Sequence, residues 1–336
     1  MSSLPRSIMD TDLLPQKQRI SAWRDSATSV WDISAITSGR FRARVDAFHA
    51  HELVFGTIES TSQRTIRTSA RIGADGLDYY LLQFYLQGSR SAGRNSKDAI
   101  ISEGDLLVVD MTQPILTESN DYKSIDLVIP RRVLSPYLRD PDAHGARHMD
   151  GSLPLVSLLR SHLQAMYLNA PKLTQEEAFS LQGPTVALAA AALNGMVLPE
   201  HAAPAVEGMR MAILRHIEDN LADLTLSAES TAAQFAISRA TLYRMMEQKG
   251  GFVAYLRQRR LRRCRDDITD PAQHYRSISD IAAQWGFPSP SAFSTAFQRH
   301  FGLSPRDCRH FAFTAVAAND QSAELSDWSR WLSALK

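Results

Sequence analysis

A chain of 336 residues, 44% hydrophobic and 22% charged, has the composition of a globular protein and more length than one ordinary core uses, so two domains are expected. No apolar run approaches the roughly 18 residues of a membrane span, and the start MSSLPRSIMDTDLL lacks the charged-then-apolar pattern of a secretory leader, which points to the cytoplasm. The net charge is +1, yet residues 208–310 hold 15 Lys/Arg against 10 Asp/Glu while the rest hold 22 against 26; a basic module joined to a mildly acidic one suggests a nucleic-acid partner for the former.

Residues 1–35 read as an N-terminal arm with one helical piece, Gln16–Trp23. From about residue 41 to 130 the hydrophobic period shortens towards two. FRARVDAFHAHELVFGTI, TIRTSARI, YYLLQFYLQGS, DAIISEGDLLVVDM and SIDLVIP are strand-like runs bounded by Gly, Asp, Asn and Ser. Many short strands at close spacing fit a sandwich or small barrel, assigned to residues 36–145. Residues 146–196 turn helical, with Leu155, Leu158, Leu159, Leu163 and Met166 at three- and four-residue steps and Pro184 as an expected kink. Such a helix pair either covers the sheet or pairs with a second subunit. Residues 197–208, with two prolines and small side chains, read as a linker. Residues 209–311 are helical in pattern throughout, and the tail 312–336 ends in DWSRWLSALK, a short amphipathic helix.

The basic module contains a repeat. Ala232-Ala233-Gln234-Phe235-Ala236-Ile237 recurs as Ala282-Ala283-Gln284-Trp285-Gly286-Phe287, and Leu242, Met245 and Met246 then match Phe293, Ala296 and Phe297. Each copy reads as a short helix, a tight turn at a small residue, and a second helix. Ser238 caps that second helix in the first copy; Ser289 followed by Pro290 starts it in the second. This is a helix-turn-helix. Its apolar face must pack on its own subdomain, which leaves a free face of Ser238, Arg239, Thr241, Tyr243 and Arg244 in the first copy. In the second the free face holds Ser291, Ala292, Ser294, Thr295, Gln298 and Arg299. Small and hydrogen-bonding side chains with Arg suit the edges of bases in a major groove. Between the copies, FVAYLRQRRLRRCRDDI has no Gly or Pro and reads as a helix spacing the two units, with Arg257, Arg259, Arg260 and Arg263 among its phosphate-contact candidates.

The segment ISRATLYRMMEQKGG…YLRQRRLRRCRDDI…SISDIAAQWGFPSPSAFSTAFQRHFGLSPRDCR resembles the DNA-binding domain of AraC/XylS-type bacterial transcription regulators. The resemblance implies two helix-turn-helix units in successive major grooves of double-stranded DNA, with Ala240, Tyr243 and Arg244, and Ser291, Ala292 and Thr295, facing bases. Thr295 stands where the family often has Arg or Lys, so the first unit is expected to carry more of the base reading. Residues 36–195 more loosely resemble the family's cupin-like regulatory domain, through FRARVDAF, YYLLQFYLQGSRSAGRN and EGDLLVVDMTQPI. That implies a multidomain α+β protein: a cupin-like β-barrel, a helical dimerisation segment and a C-terminal all-α domain. It also implies a homodimer, contact with RNA polymerase, an activator rather than a repressor, and a small-molecule effector with aromatic compounds among the candidates. Tyr79, Tyr80, Phe84 and Tyr85 offer aromatic surface for such an effector, with Tyr80, Phe84 and Tyr85 the chosen contacts.

The rival reading is a metal-dependent cupin-type enzyme fused to a DNA-binding domain. His49-x-His51 would place two imidazoles on one strand face, but GDLLVVDMTQPIL supplies no later His and Glu52 points away. No phosphate loop or nucleophile elbow occurs. No catalytic residue, metal or cofactor is expected, and Cys264 and Cys308 read as reduced packing residues.

Overall fold

The computed structural model describes residues 3–27, 30–36, 39–93, 99–195, 204–312 and 327–335. The chain forms two compact units. Met1–Thr68, Leu77–Val197 and Ala318–Lys336 make the first; Ser69–Gly76 and Leu198–Ala317 make the second.

The first unit is built on β-strands that pair antiparallel in two sheets. One sheet has seven strands, in the order β1 (Arg6–Asp10), β3 (Ala43–Ala50), β4 (Leu53–Ser60), β11 (Tyr122–Pro130), β6 (Tyr79–Gln87), β9 (Leu106–Asp110) and β12 (Arg147–Met149). The other has β2 (Asp32–Ala35), β5 (Gln63–Arg67), β10 (Ile115–Ser119), β7 (Arg90–Gly93) and β8 (Ala99–Ile101). The larger sheet is buried on both faces. One face of β3, β4, β6, β9 and β11 sends Val45, Val54, Tyr79, Tyr85, Leu107, Val109 and Val128 into a core shared with Ala92, Ile101 and Ile115 of the smaller sheet. The other sends Phe48, Phe55, Tyr80, Leu82, Phe84, Leu106, Val108 and Leu127 against two helices. These are α4 (Pro154–Asn169) and α5 (Gln175–Asn194), which contribute Val156, Leu159, Leu163, Met166, Val186, Ala189 and Leu193. A sheet covered on both sides needs apolar residues at successive positions, which is why β9 (LLVVD) reads as a continuous run rather than an alternation. Helix α5 begins with a capping box between Thr174 and Glu177 and runs through Pro184 to Asn194.

Several expectations change. The N-terminal arm is part of the sandwich: β1 pairs with β3 and β2 with β5, and between them α1 (Gln16–Ala27) buries Trp23. The run TIRTSARI is not one strand. Strand β5 stops at Arg67, whose buried guanidinium donates to the carbonyls of Met111 (2.7 Å) and Val30 (3.0 Å), and α2 (Ser69–Asp75) follows as part of the second unit. Helix is the favoured state there because Ile72 is buried among Phe301, Leu303 and Cys308 of that unit. Residues 197–203 of the expected linker lie outside the described residues, and the remainder is already helical from Pro204. Within the tail, residues 313–326 lie outside the described residues, and the final helix belongs to the first unit.

After α3 (Arg131–Leu134) in the first unit, the helices of the second unit's main body are α6 (Pro204–Asp219), α7 (Ala228–Gln234), α8 (Arg239–Met246), α9 (Phe252–Thr269), α10 (Ile278–Gln284), α11 (Pro290–Phe301) and α12 (residues 305–312). Helix α9 belongs to two cores. Its first turns bury Phe252, Tyr255 and Leu256 with Leu242 and Met246 of α8 and Ile213, Leu214 and Ile217 of α6. Its later turns bury Leu261, Cys264 and Ile268 with Phe293, Phe297 and Phe301 of α11. Both cysteines are buried free thiols.

The two helix-turn-helix turns share one backbone requirement. Ala236 has φ +51° and Gly286 has φ +82°, both left-handed. That conformation costs an L-residue other than Gly roughly 1–2 kcal/mol. Gly286→Ala would also bring a Cβ to 2.8 Å from Nη1 of Arg260 and 3.4 Å from Leu224. Gly286→Ala is therefore expected to lower stability by about 1–2 kcal/mol and Ala236→Gly to hold or raise it by up to ~1 kcal/mol. Urea denaturation of the two variants checks this; equal destabilisation by both would contradict the shared-turn reading.

Candidate nucleic-acid interface and an interior cavity

Helix α8 starts at Ser238, whose Oγ accepts from the backbone N–H of Thr241 (3.1 Å) and lies 2.9 Å from its Oγ1. Leu242 and Met246 are buried, and this fixes the outward face. Ser238, Arg239, Ala240, Tyr243 and Arg244 are exposed, while Thr241, also expected on the free face, is half-buried. The hydroxyls of Ser238 and Thr241 are occupied in capping, and Arg239 pairs with Glu229 at 2.8 Å. The side chains with reach to spare on this face are Tyr243 and Arg244.

Helix α11 is set the same way. Ser289 caps it through the N–H of Ala292 (3.3 Å), Pro290 fills the first turn, and Gly302 ends it at φ +78°. Phe293, Phe297 and Phe301 form a stepped aromatic stack, with centroids 5.5 and 4.5 Å apart, beneath the helix. Ser291, Ala292, Thr295 and Arg299 are exposed. Thr295 Oγ1 donates back to the carbonyl of Ser291 at 3.0 Å. Burial, helped by Arg262 and Arg265, pulls His300 down to about 4, so it adds no positive charge at neutral pH.

The arginines of α9 divide in two. Arg257 and Arg263 are exposed. Arg259 and Arg260, also expected at phosphates, are engaged within the protein. Arg259 pairs with Glu218 at the end of α6, at 2.6 and 2.9 Å, and Arg260 donates to the carbonyls of Leu221 (3.0 Å) and Asp223 (2.6 Å) just beyond it. Arg262 is buried, and so is Arg265, which bonds Asp266 and lies over the Phe301 ring. Composition registers the six arginines of α9 alike; which of them bind the protein itself depends on where α6 ends.

In the first unit a cavity of about 80 Å³ lies on the inner face of the larger sheet. Its wall is mostly apolar (Val45, Val54, Leu81, Met111, Val128, Trp23), and one end is polar, with Gln63, Gln83, Arg90, Tyr122 and Asp126. Gln83 organises that end. Its Oε1 accepts from Arg90 Nη1 (2.9 Å) and Tyr85 Oη (2.8 Å), and its Nε2 donates to Asp126 Oδ2 (3.1 Å) and Ser124 Oγ (3.2 Å). Arg90 also lies 5.0 Å from the centre of the Tyr122 ring. Arg90 Nε and Asp126 Oδ1 are buried without a hydrogen-bond partner. Buried polar atoms left without a partner are rare and costly.

The expected effector contacts sit elsewhere. Alternation along β6 turns Tyr79, Leu81 and Gln83 to the cavity. It turns Tyr80 and Phe84 to the helix-covered core. Tyr80 is held there by Arg131, which donates to its Oη at 2.6 Å and spans Asp78, Asp110 and Asp142. Tyr85 faces inwards but stands behind Gln83, which it holds. Gln83 and Arg90 were missed because a polar residue inside a strand carries no signal until its sheet face is known. The His-x-His pair dissolves for a similar reason. His51 lies in the tight β3–β4 turn with φ +56°, which breaks the alternation between it and His49. No cluster of three or more metal-ligating side chains occurs among the described residues.

Residues 20–194 match the family model of the AraC-binding-like domain, and residues 231–310 match a helix-turn-helix domain. Among curated proteins, the chain is 26% identical to the transcriptional activator NphR of Rhodococcus sp over 260 residues, covering 76% of each. It is 25% identical to the XylDLEGF operon transcriptional activator of Pseudomonas putida over 276 residues, covering 76% of this chain and 83% of that one. Among solved structures, the AraC-like transcriptional activator CuxR has the same fold with a TM-score of 0.55 at 22% identity, over 76% of this chain and 94% of that one.

Asp126 gives the cavity a measurable signature. Burial pushes its carboxyl up to about 7, against the opposing pull of its bonds to Ser124 and Gln83 and of Arg90. A carboxyl raised in the folded state favours folding when protonated, and that contribution is lost as pH rises from about 4 through about 7. Asp126→Asn is expected to melt close to the parent near pH 4 and progressively higher than it towards neutral pH. Circular-dichroism melts across that range check this; a constant offset at every pH would contradict it.

Proposed function

The chain belongs to the AraC/XylS family of transcription regulators, and on that premise we propose that it is an effector-responsive activator whose helices α8 and α11 read two successive major grooves. One observation carries the DNA-reading part: two copies of one helix-turn-helix, each pinned by a buried apolar face, present exposed small and cationic side chains. Ala240, Tyr243 and Arg244 are the base-facing side chains of the first unit, with Arg244 suited to a guanine edge. Ser291, Ala292 and Thr295 serve the second, flanked by Arg299. Arg257 and Arg263 contact phosphates, while Arg259 and Arg260 hold α9 against α6.

The interior cavity is the effector site. Its apolar wall and single polar end, with an unmet donor on Arg90 and an unmet acceptor on Asp126, fit a small, largely apolar molecule with one hydrogen-bonding head. A homodimer is supported by Leu155 and Leu158, which stand exposed on α4 along the edge of its buried stripe. The relatives named as activators support activation, and with it contact with RNA polymerase in the cytoplasm. Among the described residues no helix is long and apolar enough to cross a membrane.

Arg244→Ala should relax specificity at one base pair and weaken the cognate site by about 1–3 kcal/mol. Gel-shift titrations on operator and random DNA test it, and equal loss on both would remove the base-reading role. Arg257→Ala and Arg263→Ala should weaken all sequences alike and flatten the salt dependence by about one unit each. Arg259→Ala, by contrast, should lower the melting temperature. Footprinting on the DNA upstream of its own gene, with and without aromatic acids and amines, tests the function as a whole.

A further inference from the structure

The final helix, α13 (Asp327–Ala334), is the last described element of the chain and belongs to the first unit. It builds part of the cavity. Trp328 and Leu332 line it, at 6% exposure each, and Leu335 beyond the helix is equally buried. Trp328 stacks on Trp23 of α1 with ring centroids 6.3 Å apart, Trp331 stacks on His49 of β3 at 5.3 Å, and Ser329 Oγ donates to the carbonyl of Ser26. The chain leaves the first unit, forms the second, and returns to the first, where α13 walls its interior cavity.

Two features argue against α13 being a permanent wall. The first is volume. The space left beside it is about 80 Å³, whereas an apolar cavity that accepts benzene is about 150 Å³. An aromatic ring does not fit while the Trp328 indole is in place. The second is an unmet donor: Trp328 Nε1 is buried without a hydrogen-bond partner, so docking forfeits the bond the indole makes with water. A wall residue selected only for stability would have this donor paired, as the Nε1 of Trp23 is, at 2.8 Å from Gln63 Oε1.

We propose that α13 is an intramolecular gate on the effector cavity, so that the docked helix and the bound effector exclude one another. This rests on the reading of the cavity as the effector site. Withdrawal of Trp328 and Leu332 opens apolar space beside the polar end, where Arg90 Nε offers a donor and Asp126 Oδ1 an acceptor. The Gln83 amide already bridges these two side chains through their other atoms, so a second amide is the matching head group, and a small aromatic amide is the matching ligand class. Effector binding thereby frees α13, the segment that follows the DNA-reading module.

The test uses the full chain and benzamide as the probe, with benzoate as comparator. Hydrogen exchange of the backbone amides at 329–335 is expected to be slowed at least tenfold in the parent and to quicken when benzamide saturates it. Trp328→Ala/Leu332→Ala is expected to lose that protection and to bind benzamide at least tenfold more tightly by calorimetry. A circular-dichroism melt confirms that the variant is folded, and the exchange arm on the parent needs no variant. If benzamide binds but protects 329–335, or binds parent and variant equally, the gate is overturned while the effector site stands. If neither probe binds the parent or the folded variant, the effector site fails and the gate with it. Tighter binding of benzoate than benzamide, with the same quickened exchange, keeps the gate and overturns the amide head group.

Discussion

The larger sheet of the first unit must bury both of its faces, and most of that unit follows from this requirement. On one face α4 and α5 supply the cover. On the other the five-stranded sheet does, together with the aromatic side chains of α1 and α13. A strand between two covers sorts its side chains strictly by parity. Along β6 odd positions (Tyr79, Leu81, Gln83, Tyr85) go to the sheet–sheet interior and even ones (Tyr80, Leu82, Phe84) to the helices. The same parity brings Ser124 and Asp126 of β11 beside Gln83. A polar cluster in that position is expensive unless each atom finds a partner. Here nearly all do, through Gln83, and the exceptions sit on the residues that line the open space.

In the second unit the corresponding constraint is that α9 must serve two cores from one helix. Neither helix-turn-helix has enough apolar surface to stand alone, and each borrows one half of α9. The arginines of α9 therefore cannot all be solvated cations. Positions rotated towards α6 become internal clamps, as Arg259 and Arg260 do on Glu218 and the carbonyls at the end of α6. Basic residues engaged in this way hold α9 against α6, while Arg257 and Arg263 stay exposed.

The helical module was legible in the sequence because its signals are local: caps at Ser238 and Ser289, small turn residues at Ala236 and Gly286, and apolar steps of three and four. A repeat also lets each copy check the other. The β unit was legible as a class but not in detail. Strand β5 and helix α2 share the unbroken stretch TIRTSARI, and only the burial of Ile72 in the second unit's core separates them. The parity of YYLLQFYLQ shows that half of it points inwards without saying which half. That choice is made by long-range pairing with β11 and β9, and it moves the candidate contacts from Tyr80, Phe84 and Tyr85 to Tyr79, Gln83 and Arg90. The role of the tail was invisible for the same reason, since Trp328 finds its place only beside Trp23, some three hundred residues away.

The two reading helices differ in kind. Near the start of each, the hydroxyls that look suited to bases are engaged by the helix itself: Ser238 with Thr241, Ser289 with Ala292, and Thr295 with the carbonyl of Ser291. Arg239 is drawn to Glu229 of the preceding helix. What remains on α8 is Tyr243 and Arg244, long side chains with directional donors. What remains on α11 is the methyl surface of Ala292 and Thr295, with Gln298 and Arg299 about a turn later. Directional donors discriminate among base pairs, whereas methyls meet thymine methyls and otherwise report fit. The two helices are thus unequal in what they expose, and α9, packed in both cores, holds them at a fixed distance from one another.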